Sequence, residues 1–572
     1  MVEIISELQF WLIFLTLNFL NYVVVYTLHF KESNFFPYIT SIRQAKKLGL
    51  ASEANLDFFR YNVEISIVLI LSRFLNLQFD IIIISAIYFL MLVFNIYQYS
   101  IRRIYEAEPI LFNDFKLLKN GIAIVWNEAK WKILLLLLVT TIIFIGLNKA
   151  LEFFLLNNYN MGVSPSFLIL SSLWTLVVLY SIYSHKGFSI KFPNDIYLRF
   201  HFTLVELYNN FIRSYECYKL SRLEFGKQYK EARKNIKLSP IKNPPNVHFI
   251  FIESYGSFTY QEDSLKNQAY QRLKDFQENI KENGYNTLSN FSESTTTGGQ
   301  SWLTYSSFLY GYRMDNNTFY ENLLNDSDFR KSKGLMQVFK EMGYTNYNLN
   351  PIKPINGITV PYDAMREFYC IDRWLLHNDI NYNGNKYGFG TAAPDQYSMN
   401  FTMNLIKKEM KLPYTFFYLT KSSHTPFPKI ELVDDWKTLN QSEGTIHRHQ
   451  GFLKYPTLED YGQAINYQLE NLERFICDHE NQNDLFIIIG DHQPPVISKP
   501  QIHGQTTPCH VISKNNKFLN EFKDYGFVED LMDSKEPIRH ESFYSIFLNA
   551  FSKHYAKSSS NIPEYEPNGI QL

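Results

Sequence analysis

Two kinds of metal-binding side chain follow directly after a short apolar run late in the chain. Residues 485–489 are all apolar, and Gly490, Asp491 and His492 come next. Such a run predicts a buried parallel strand, which places the Asp491 carboxylate and the His492 imidazole at its carboxyl end. Both groups are ligands of divalent cations such as Zn²⁺ and Mn²⁺. The pattern therefore predicts a metal-binding strand end.

A second apolar run, residues 247–252, ends in the same way in Glu253. Open α/β sheets collect their ligand groups at the carboxyl ends of neighbouring strands. We therefore expect Glu253, Asp491 and His492 to form one metal site, although the two runs are far apart in the chain. A helix-capping or salt-bridged carboxylate is the alternative interpretation of Glu253 taken alone.

A hydroxyl-rich segment lies between these two runs. Residues 295–302 are Thr-Thr-Thr-Gly-Gly-Gln-Ser-Trp, and a helix is predicted over residues 303–309. The amino terminus of a helix offers free N–H groups and a positive dipole end to a phosphate. A hydroxyl beside a metal ion loses its proton readily and becomes a nucleophile. Ser and Thr are also common helix caps, so the segment alone is a weak signal.

The elements that must position these groups lie in residues 246–556. There, short apolar runs alternate with helical stretches, which predicts an α/β domain with a mostly parallel central sheet. The predicted strands are 247–252, 345–349, 414–419, 485–489 and 510–512, and the predicted helices are 265–283, 334–342, 395–411 and 458–479. Residues 557–572 are rich in Ser, Pro and Asn and are predicted to be poorly ordered.

The first 185 residues contain the long apolar stretches. Five runs are long and poor in charge, which predicts a multi-pass α-helical membrane domain; they cover residues 10–30, 63–79, 81–97, 133–147 and 167–183. Buried helices of a soluble domain are the alternative. Residues 186–245 are increasingly basic and predict a helical connector at the membrane surface, with an ordinary solvated helix as the alternative.

The overall composition gives no support for a nucleic-acid partner. The chain of 572 residues carries 55 Lys and Arg against 56 Asp and Glu, so its net charge is close to zero. None of the four cysteines has the spacing of a zinc-binding motif.

Together, these motifs resemble the sulfatase-like membrane branch of the alkaline phosphatase superfamily. This branch contains lipoteichoic acid synthases, phosphoglycerol transferases and phosphoethanolamine transferases. The resemblance implies a membrane bundle of about five helices followed by a sulfatase-like α/β catalytic domain. It assigns Glu253, Asp491 and His492 to the metal ligands of the branch. It assigns Ser301 to the nucleophile, which is also a metal ligand, and His424 to the histidine that contacts the substrate phosphate.

The chain departs from the pattern of the branch at the nucleophile. The transferases usually have Thr at this position, so Thr296 and Thr297 compete with Ser301. The modified-residue signature of true sulfatases is absent after Ser301, which argues against sulfatase activity. Trp302 and His503 are further candidates for substrate contacts. Residues 394–397 also resemble the branch, and we expect them to be structural.

The function implied by the resemblance is transfer of a phospholipid headgroup, phosphoglycerol or phosphoethanolamine. The acceptor would be an envelope glycan or lipid-linked saccharide, the intermediate a covalent phospho-enzyme, and the cofactor Mn²⁺ or Zn²⁺. The first alternative is a membrane-anchored phosphodiesterase, phosphatase or other sulfatase-like hydrolase using the same metal site. A catalytically inactive membrane scaffold is the second.

The two indicators of location disagree. The resemblance implies a bacterial cytoplasmic (inner) membrane protein whose catalytic domain faces the periplasm or the cell exterior. Basic residues are frequent in residues 31–61 and 99–132, which predicts that both loops are cytoplasmic. With five spans, that would place the carboxyl-terminal half in the cytoplasm as well. We give the resemblance precedence, because headgroup transfer of this kind takes place outside the cytoplasm.

Overall fold

The chain consists of two units defined by contacts within each. The computed structural model describes residues 2–29, 57–75, 77, 81–104, 108–183, 189–192, 196–221, 233, 235–326, 333–354, 360–388, 391–409, 411–441, 446–447, 456–478, 484–495, 497–498 and 503–570. The first unit lies within residues 1–216 and the second mainly within residues 217–572.

The first unit is largely helical and contains a small sheet. Its elements are α1 (Val2–His29), β1 (Asp57–Asn62), α2 (Val63–Leu71), α3 (Ile81–Ile104), α4 (Leu111–Asn160), α5 (Pro165–Tyr183), β2 (Ser189–Phe192), β3 (Ile196–His201) and α6 (Thr203–Ser221). The boundary between the two units lies within α6. In the sheet, β3 lies between the other two strands, parallel to β1 and antiparallel to β2.

Two helical stretches in the described part of the chain are long and apolar enough to cross a membrane. They are Ile81–Gln98 in α3 and Leu137–Asn160 in α4. Among the described residues of the predicted run 63–79, the nine-residue helix α2 is followed by a turn, and residues 76, 78 and 79 lie outside the described part. Such a helix is about 14 Å long and is too short for a hydrocarbon core of about 30 Å. The described residues of 63–79 therefore do not form a single spanning helix, and the prediction of five spans is not confirmed.

The predicted helical connector over residues 186–245 also differs from the structure. Its described part contains β2 and β3 before α6, and a further strand after it. The sequences Ser-Ile-Lys-Phe and Ile-Tyr-Leu-Arg-Phe-His alternate polar and apolar residues and are rich in β-branched and aromatic types. This period of two favours strands over helices, so α6 is the element that fits the helical prediction among the described residues of 186–245.

The second unit contains the predicted α/β domain. Its elements are β4 (Lys237–Pro240), β5 (Val247–Ile252), α7 (Phe258–Gln261), α8 (Lys266–Glu282), β6 (Asn286–Glu293), α9 (Ser301–Tyr310), α10 (Asn317–Asn325), α11 (Leu335–Glu341), β7 (Thr345–Asn350), α12 (Tyr362–Phe368), β8 (Arg373–Leu376), β9 (Lys386–Tyr387), α13 (Asp395–Glu409), β10 (Tyr414–Leu419), β11 (Ile446–His447), α14 (Leu458–Cys477), β12 (Leu485–Gly490), β13 (Thr506–Ser513), α15 (Asn516–Asn520), β14 (Ile538–Arg539), α16 (Phe543–Tyr555) and β15 (Ala556–Ser560).

Eight strands form the central sheet of this unit, in the order β14-β6-β13-β12-β5-β10-β7-β8. Neighbours from β12 to β8 are parallel, and so are β14 and β6, whereas β13 is antiparallel to both β12 and β6. The sheet is therefore mixed, with five parallel and two antiparallel strand pairs, so the prediction of a mostly parallel sheet is confirmed only in part. Strand β13 pairs with the strand that precedes it in the chain, and such a neighbour can reverse direction through a short connection.

Both faces of the central sheet are covered by helices. Successive side chains of a strand point to opposite faces. Phe249 and Phe251 of β5 pack with Phe308 of α9. Ile250 and Ile252 belong to the second core cluster, together with apolar residues of α8, α13 and α14. This arrangement gives three layers, with β5 and β12 buried between them.

The described part of the carboxyl-terminal segment extends to residue 570 and contains strand β15, and the prediction that residues 557–572 are poorly ordered stays a prediction. Strand β15 pairs antiparallel with β4, which precedes the central sheet in the chain. Beyond it, Glu566 accepts a 2.5 Å hydrogen bond from the buried Arg233 guanidinium, which also lies 4.2 Å from the ring of Tyr544. A buried guanidinium requires such a partner, and composition alone does not reveal this pairing.

Candidate metal and nucleophile site

The central strands bring the predicted ligands to one edge of the sheet. Strand β5 lies between β10 and β12, and Phe251 pairs with Ile489 of β12. Glu253 and Asp491 each follow two residues later, so their side chains leave the same face of the sheet side by side. The position directly before Asp491 requires glycine, because a Cβ on Gly490 would lie 1.8 Å from the carbonyl oxygen of Tyr255.

Glu253, Asp491 and His492 form a buried cluster with a metal-ligand spacing. Each offers one ligand atom, and these atoms lie within 4.8 Å of one another. His492 Nε2 is 3.5 Å from Glu253 Oε1 and 3.3 Å from Asp491 Oδ2. His492 Nδ1 lies 2.8 Å from the carbonyl oxygen of Gln493, a hydrogen bond in which Nδ1–H donates. This hydrogen bond directs the Nε2 lone pair of a neutral ring towards the two carboxylates.

The Asp491 carboxylate has one satisfied and one unsatisfied oxygen. Oδ1 accepts 2.8 Å hydrogen bonds from the backbone N–H groups of Ser254 and His492. Oδ2 is buried and has no hydrogen-bond donor among the residues that the structure describes. Burial and the charge of Glu253 raise the pKa of Asp491 to about 7, against the opposing effects of His492 and the Ser301 hydroxyl. An orphaned oxygen in a buried carboxylate pair fits a bound divalent cation.

Glu253 has the opposite electrostatic balance. Burial acts to raise the pKa of Glu253, but the nearby imidazoles of His424 and His492 and the Lys421 ammonium outweigh it and hold the pKa below its usual value. The Glu253 backbone N–H donates to Thr420 Oγ1 at 3.0 Å. Glu253 is thus kept ionised in a buried place, as a metal ligand must be.

Helix α9 places a hydroxyl beside this cluster. Ser301 is its first residue, is largely buried and has its Oγ 3.4 Å from His492 Nε2. The preceding Gly299 and Gln300 have φ angles of 81° and 57°, in the left-handed region, and this turn leads the loop into the helix. Ser294 Oγ donates to the carbonyl oxygen of Asp491 at 2.7 Å, which ties the loop to the metal-binding strand. The local fold therefore directs the amino end of α9 at the cluster.

The other candidates near Ser301 have different surroundings. Thr296 Oγ1 lies 3.0 Å from Thr304 Oγ1, within the same loop and helix. Thr297 is buried in the loop. Trp302 Nε1 donates to Asn317 Oδ1 at 2.9 Å, so its indole is directed towards α10. The Ser301 contact with His492 favours Ser301 over Thr296 as the nucleophile.

His424 lies in the loop that follows β10. Its Nδ1–H donates to the carbonyl oxygen of Thr425 at 2.7 Å. Burial lowers the pKa of His424, while the charge of Glu253 acts in the opposite direction. The loop is anchored by the buried Asp395 carboxylate, which accepts from the backbone N–H of Ser422 at 2.7 Å and from Gln468 Nε2 at 2.6 Å. Asp395 therefore positions the segment that carries His424.

His503 lies on a segment held by Gln493. Gln493 Nε2 donates to the carbonyl oxygen of His503 at 3.2 Å, and Gln493 Oε1 accepts from the backbone N–H of Phe258 at 3.1 Å. The half-buried His503 ring packs edge-on against Phe258, with centroids 4.7 Å apart. A Cβ at Gly256 would lie 1.9 Å from Gln493 Oε1, so this loop passes the Gln493 side chain only with glycine.

Sequence analysis missed three residues of the site, Thr420, Lys421 and Gln493. A usable signal existed for Lys421, which lies two positions after the last residue of the apolar run 414–419 and so close to a strand end. Gln493 directly follows the predicted ligands, but its role depends on a loop more than 200 residues away in sequence. No local pattern predicts such a contact.

Comparison with known proteins gives matches among solved structures only. No family model matches the chain, and no curated protein matches it. The chain is similar to the lipooligosaccharide phosphoethanolamine transferase A of Neisseria meningitidis, at 12% identity and a TM-score of 0.47, with 96% of each chain covered. It is also similar to the lipoteichoic acid synthase LtaP of Listeria monocytogenes, at 12% identity and a TM-score of 0.37, covering 60% of this chain and 80% of the other. A third is the phosphoglycerol transferase GacH of Streptococcus pyogenes, at 14% identity and a TM-score of 0.34, covering 59% and 79%.

Proposed function

We propose that the chain is a metal-dependent transferase of phospholipid-derived headgroups. It would move phosphoglycerol or phosphoethanolamine onto an envelope glycan or lipid-linked saccharide through a covalent intermediate on Ser301. The proposal depends on one observation, the Ser301 hydroxyl at the start of α9 and 3.4 Å from His492 Nε2 of the buried cluster. The motif resemblance supplies the substrate class.

The residues that would hold the metal are Glu253, Asp491, His492 and Ser301. The orphaned Asp491 oxygen and the mixed oxygen and nitrogen donor set support Mn²⁺ or Zn²⁺. When bound, the metal would supply positive charge that stabilises the phosphoryl oxygens and makes a neighbouring hydroxyl easier to ionise.

The residues of the chain then account for the two half-reactions. In the first, Ser301 Oγ forms a bond to the donor phosphorus, the bond to the diacylglycerol oxygen breaks, and the serine proton passes to that oxygen. In the second, the oxygen of an acceptor hydroxyl forms a bond to phosphorus, the bond between phosphorus and Ser301 Oγ breaks, and the acceptor proton passes to Ser301 Oγ. The amino end of α9 orients Ser301 and favours the phosphoryl charge.

His424 is our candidate for the proton carrier or for a contact with a phosphoryl oxygen. Its Nδ1–H donates to Thr425, so a neutral ring has its lone pair on Nε2. The lowered pKa of His424, caused by burial, keeps the ring neutral and able to accept a proton near pH 7.

The first unit supports a membrane location. Apolar side chains along α4 are strongly exposed, among them Leu134, Leu138 and Ile142 at 58%, 57% and 59%. A continuous apolar surface of this kind is unfavourable in water, whereas lipid covers it without loss. A membrane anchor would keep the site at a high effective concentration of lipid donor. We place the protein in a bacterial inner membrane, with the catalytic unit facing the periplasm or the cell exterior.

The test is the intact mass of the purified protein after incubation with phosphatidylglycerol or phosphatidylethanolamine and Mn²⁺ or Zn²⁺. We expect an adduct with the mass of phosphoglycerol or phosphoethanolamine, and its loss in Ser301→Ala. The matched control is Thr297→Val, which removes the neighbouring buried hydroxyl and should keep the adduct. An adduct that persists in Ser301→Ala would assign the nucleophile to another hydroxyl. Release of free glycerol phosphate without a glycan product would identify a hydrolase instead.

A further inference from the structure

Lys421 stands level with the two carboxylates of the cluster. In the register of three parallel strands, Leu419 of β10 and Ile489 of β12 both pair with Phe251 of β5. Two positions later on these strands come Lys421, Asp491 and Glu253 respectively. The hydrogen bonds continue past the strand ends, from Thr420 N to the Phe251 carbonyl oxygen at 2.9 Å and from Asp491 N to the Ile252 carbonyl oxygen at 3.2 Å.

The shared register directs these three side chains to the same face of the sheet. Residues separated by two positions on a strand lie on the same face, and neighbouring strands are about 4.8 Å apart. Phe251 and Leu419 pack in the core cluster that contains α9. Lys421 therefore flanks Glu253 on the side opposite Asp491, on the face from which Ser301 approaches.

The backbone of Lys421 is rigidly held. Its N–H lies 2.9 and 3.0 Å from the two carboxylate oxygens of Asp395, and the next N–H, that of Ser422, donates to the same carboxylate. The side chain is only partly exposed, whereas lysine is usually a fully solvated residue. Burial lowers the pKa of Lys421, while the charges of Glu253, Asp395 and Asp491 oppose that shift. The backbone hydrogen bonds and the partial burial therefore hold Lys421 beside the two carboxylates.

The remaining charges of the site indicate the role of this ammonium. Asp395 is satisfied by its own donors, which are two backbone N–H groups, Tyr418 and Gln468. Glu253 and Asp491 are the groups that a divalent cation would neutralise. Once they are neutralised, the Lys421 ammonium requires another anion, because a partly buried charge without a partner is unfavourable.

We propose that Lys421 is a substrate-binding residue whose ammonium holds a phosphoryl oxygen at the cluster of Glu253, Asp491 and His492. The inference rests on the proposed function for the identity of the donor, but phosphoryl binding can be measured without turnover. It gives a role to a lysine that the motif resemblance does not assign.

The experiment compares the full-length protein in detergent with three variants. Lys421→Met removes the charge at similar volume, Lys421→Arg keeps the charge, and Lys429→Met removes an exposed lysine from the same loop. Titration calorimetry measures the affinity for Mn²⁺ and then, on the Mn²⁺-loaded protein, the affinity for inorganic phosphate. The rate of adduct formation from phosphatidylglycerol and phosphatidylethanolamine is measured in parallel as a function of lipid concentration.

We expect Lys421→Met to weaken phosphate binding by roughly 10- to 100-fold, the equivalent of one charge-assisted hydrogen bond. Its affinity for Mn²⁺ should stay equal or rise, because a like charge is removed. Lys421→Arg should keep most of the phosphate affinity, and Lys429→Met should behave as the wild type. Adduct formation by Lys421→Met should require a higher lipid concentration.

Two results would overturn the inference. One is unchanged phosphate affinity in Lys421→Met with Mn²⁺ still bound, and the other is loss of Mn²⁺ binding itself, which would make Lys421 a support for the ligands. Phosphate binding that depends on Lys421, without an adduct from either lipid, would keep the inference and reject the proposed function. A Lys421 effect on phosphate but not on the lipids would assign the contact to free phosphate.

Discussion

At the scale of single residues, the ionised form of Asp491 is unfavourable in the protein without metal. Its buried carboxylate has one orphaned oxygen and lies beside ionised Glu253. Burial and Glu253 raise the pKa of Asp491 to about 7, well above its usual value near 3.8. Since the folded pKa is the higher one, ionisation of Asp491 lowers the stability of the metal-free protein as pH rises from about 4 to 7.

This predicts opposite effects of Asp491→Asn with and without metal. In EDTA at pH 8, Asp491→Asn should melt at a higher temperature than the wild type, because up to about 4 kcal/mol of unfavourable ionisation is removed. With Mn²⁺, the wild type should be the more stable, because it keeps the ligand. Differential scanning fluorimetry under both conditions measures this. A lower melting temperature for Asp491→Asn in EDTA would contradict the prediction.

The site residues that were predicted from the sequence lie at the ends of apolar strands. The site residues that were not predicted acquire their neighbours through the pairing of strands and the packing of loops. Glu253, Asp491 and His492 each follow an apolar strand, and the carboxyl ends of parallel strands meet at one edge whatever the strand order. Lys421 acquires its neighbours from the pairing of β10 with β5, and Asp395 from a loop brought to it by folding. Such contacts depend on strand order and register, which a single sequence does not state.

At the scale of elements, the entry into α9 is the segment on which the nucleophile depends. Gln300 has a φ of 57°, and it precedes Ser301 directly. A non-glycine residue in the left-handed region costs roughly 1–2 kcal/mol, and a β-branched residue costs more. The strain is compatible with function only while the loop holds its hydrogen bonds, such as that of Ser294 to Asp491.

A pair of substitutions at Gln300 tests this dependence. Gln300→Gly should keep the rate of adduct formation within about twofold and leave the melting temperature unchanged or higher, because glycine adopts this φ freely. Gln300→Val should lower stability by about 1–2 kcal/mol and slow adduct formation about tenfold by displacing Ser301. Intact-mass kinetics and thermal melting measure both effects. Equal rates for the two variants would show that the turn does not position the nucleophile.

Several elements followed from local patterns, and others did not. Strands β5, β10 and β12 were predicted because they are continuous apolar runs, which is typical of strands buried on both faces. The antiparallel direction of β13 and the pairing of β15 with β4 were not predicted. Composition indicates where a strand can form, but its direction and partner are fixed by the path of the whole chain.

At the scale of the whole molecule, an apolar run in the first unit proved a poor measure of helix length. After Leu71 the chain turns, and Arg73 is buried with its guanidinium carbon 5.3 and 4.9 Å from the rings of Phe10 and Phe167. Its Nη1 donates to the carbonyl oxygen of Gly162 at 3.1 Å. On a hydropathy scale, Arg73 interrupts an apolar span. In the structure, Arg73 packs between the rings of Phe10 and Phe167, whose faces attract a cation.

Two buried histidines of the second unit, one on β13 and one directly after β14, also contribute to the pH dependence of stability. His510 Nδ1 lies 2.8 Å from Ser289 Oγ, and burial lowers its pKa to about 3. His540 Nδ1 lies 2.8 Å from Ser292 Oγ, and burial lowers its pKa to about 4. Both folded pKa values lie below the unfolded value near 6.5. Their stabilisation is therefore complete above pH 6.5 and is lost as pH falls towards 4.

We therefore expect His510→Gln to flatten the loss of stability on acidification. Between pH 7.5 and 5.0, each buried histidine lowers the free energy of unfolding of the wild type by roughly 2 kcal/mol, because the histidine binds a proton in the unfolded chain but not in the folded protein. Protonation of Asp491 acts in the opposite direction over this range, so the absolute change in melting temperature is not decisive. The difference between wild type and His510→Gln cancels the Asp491 contribution, because both proteins contain that residue. Melting of the full chain in detergent with EDTA at the two pH values measures it. Parallel decreases in the two proteins would show that His510 takes up its proton in the folded state as readily as in the unfolded chain.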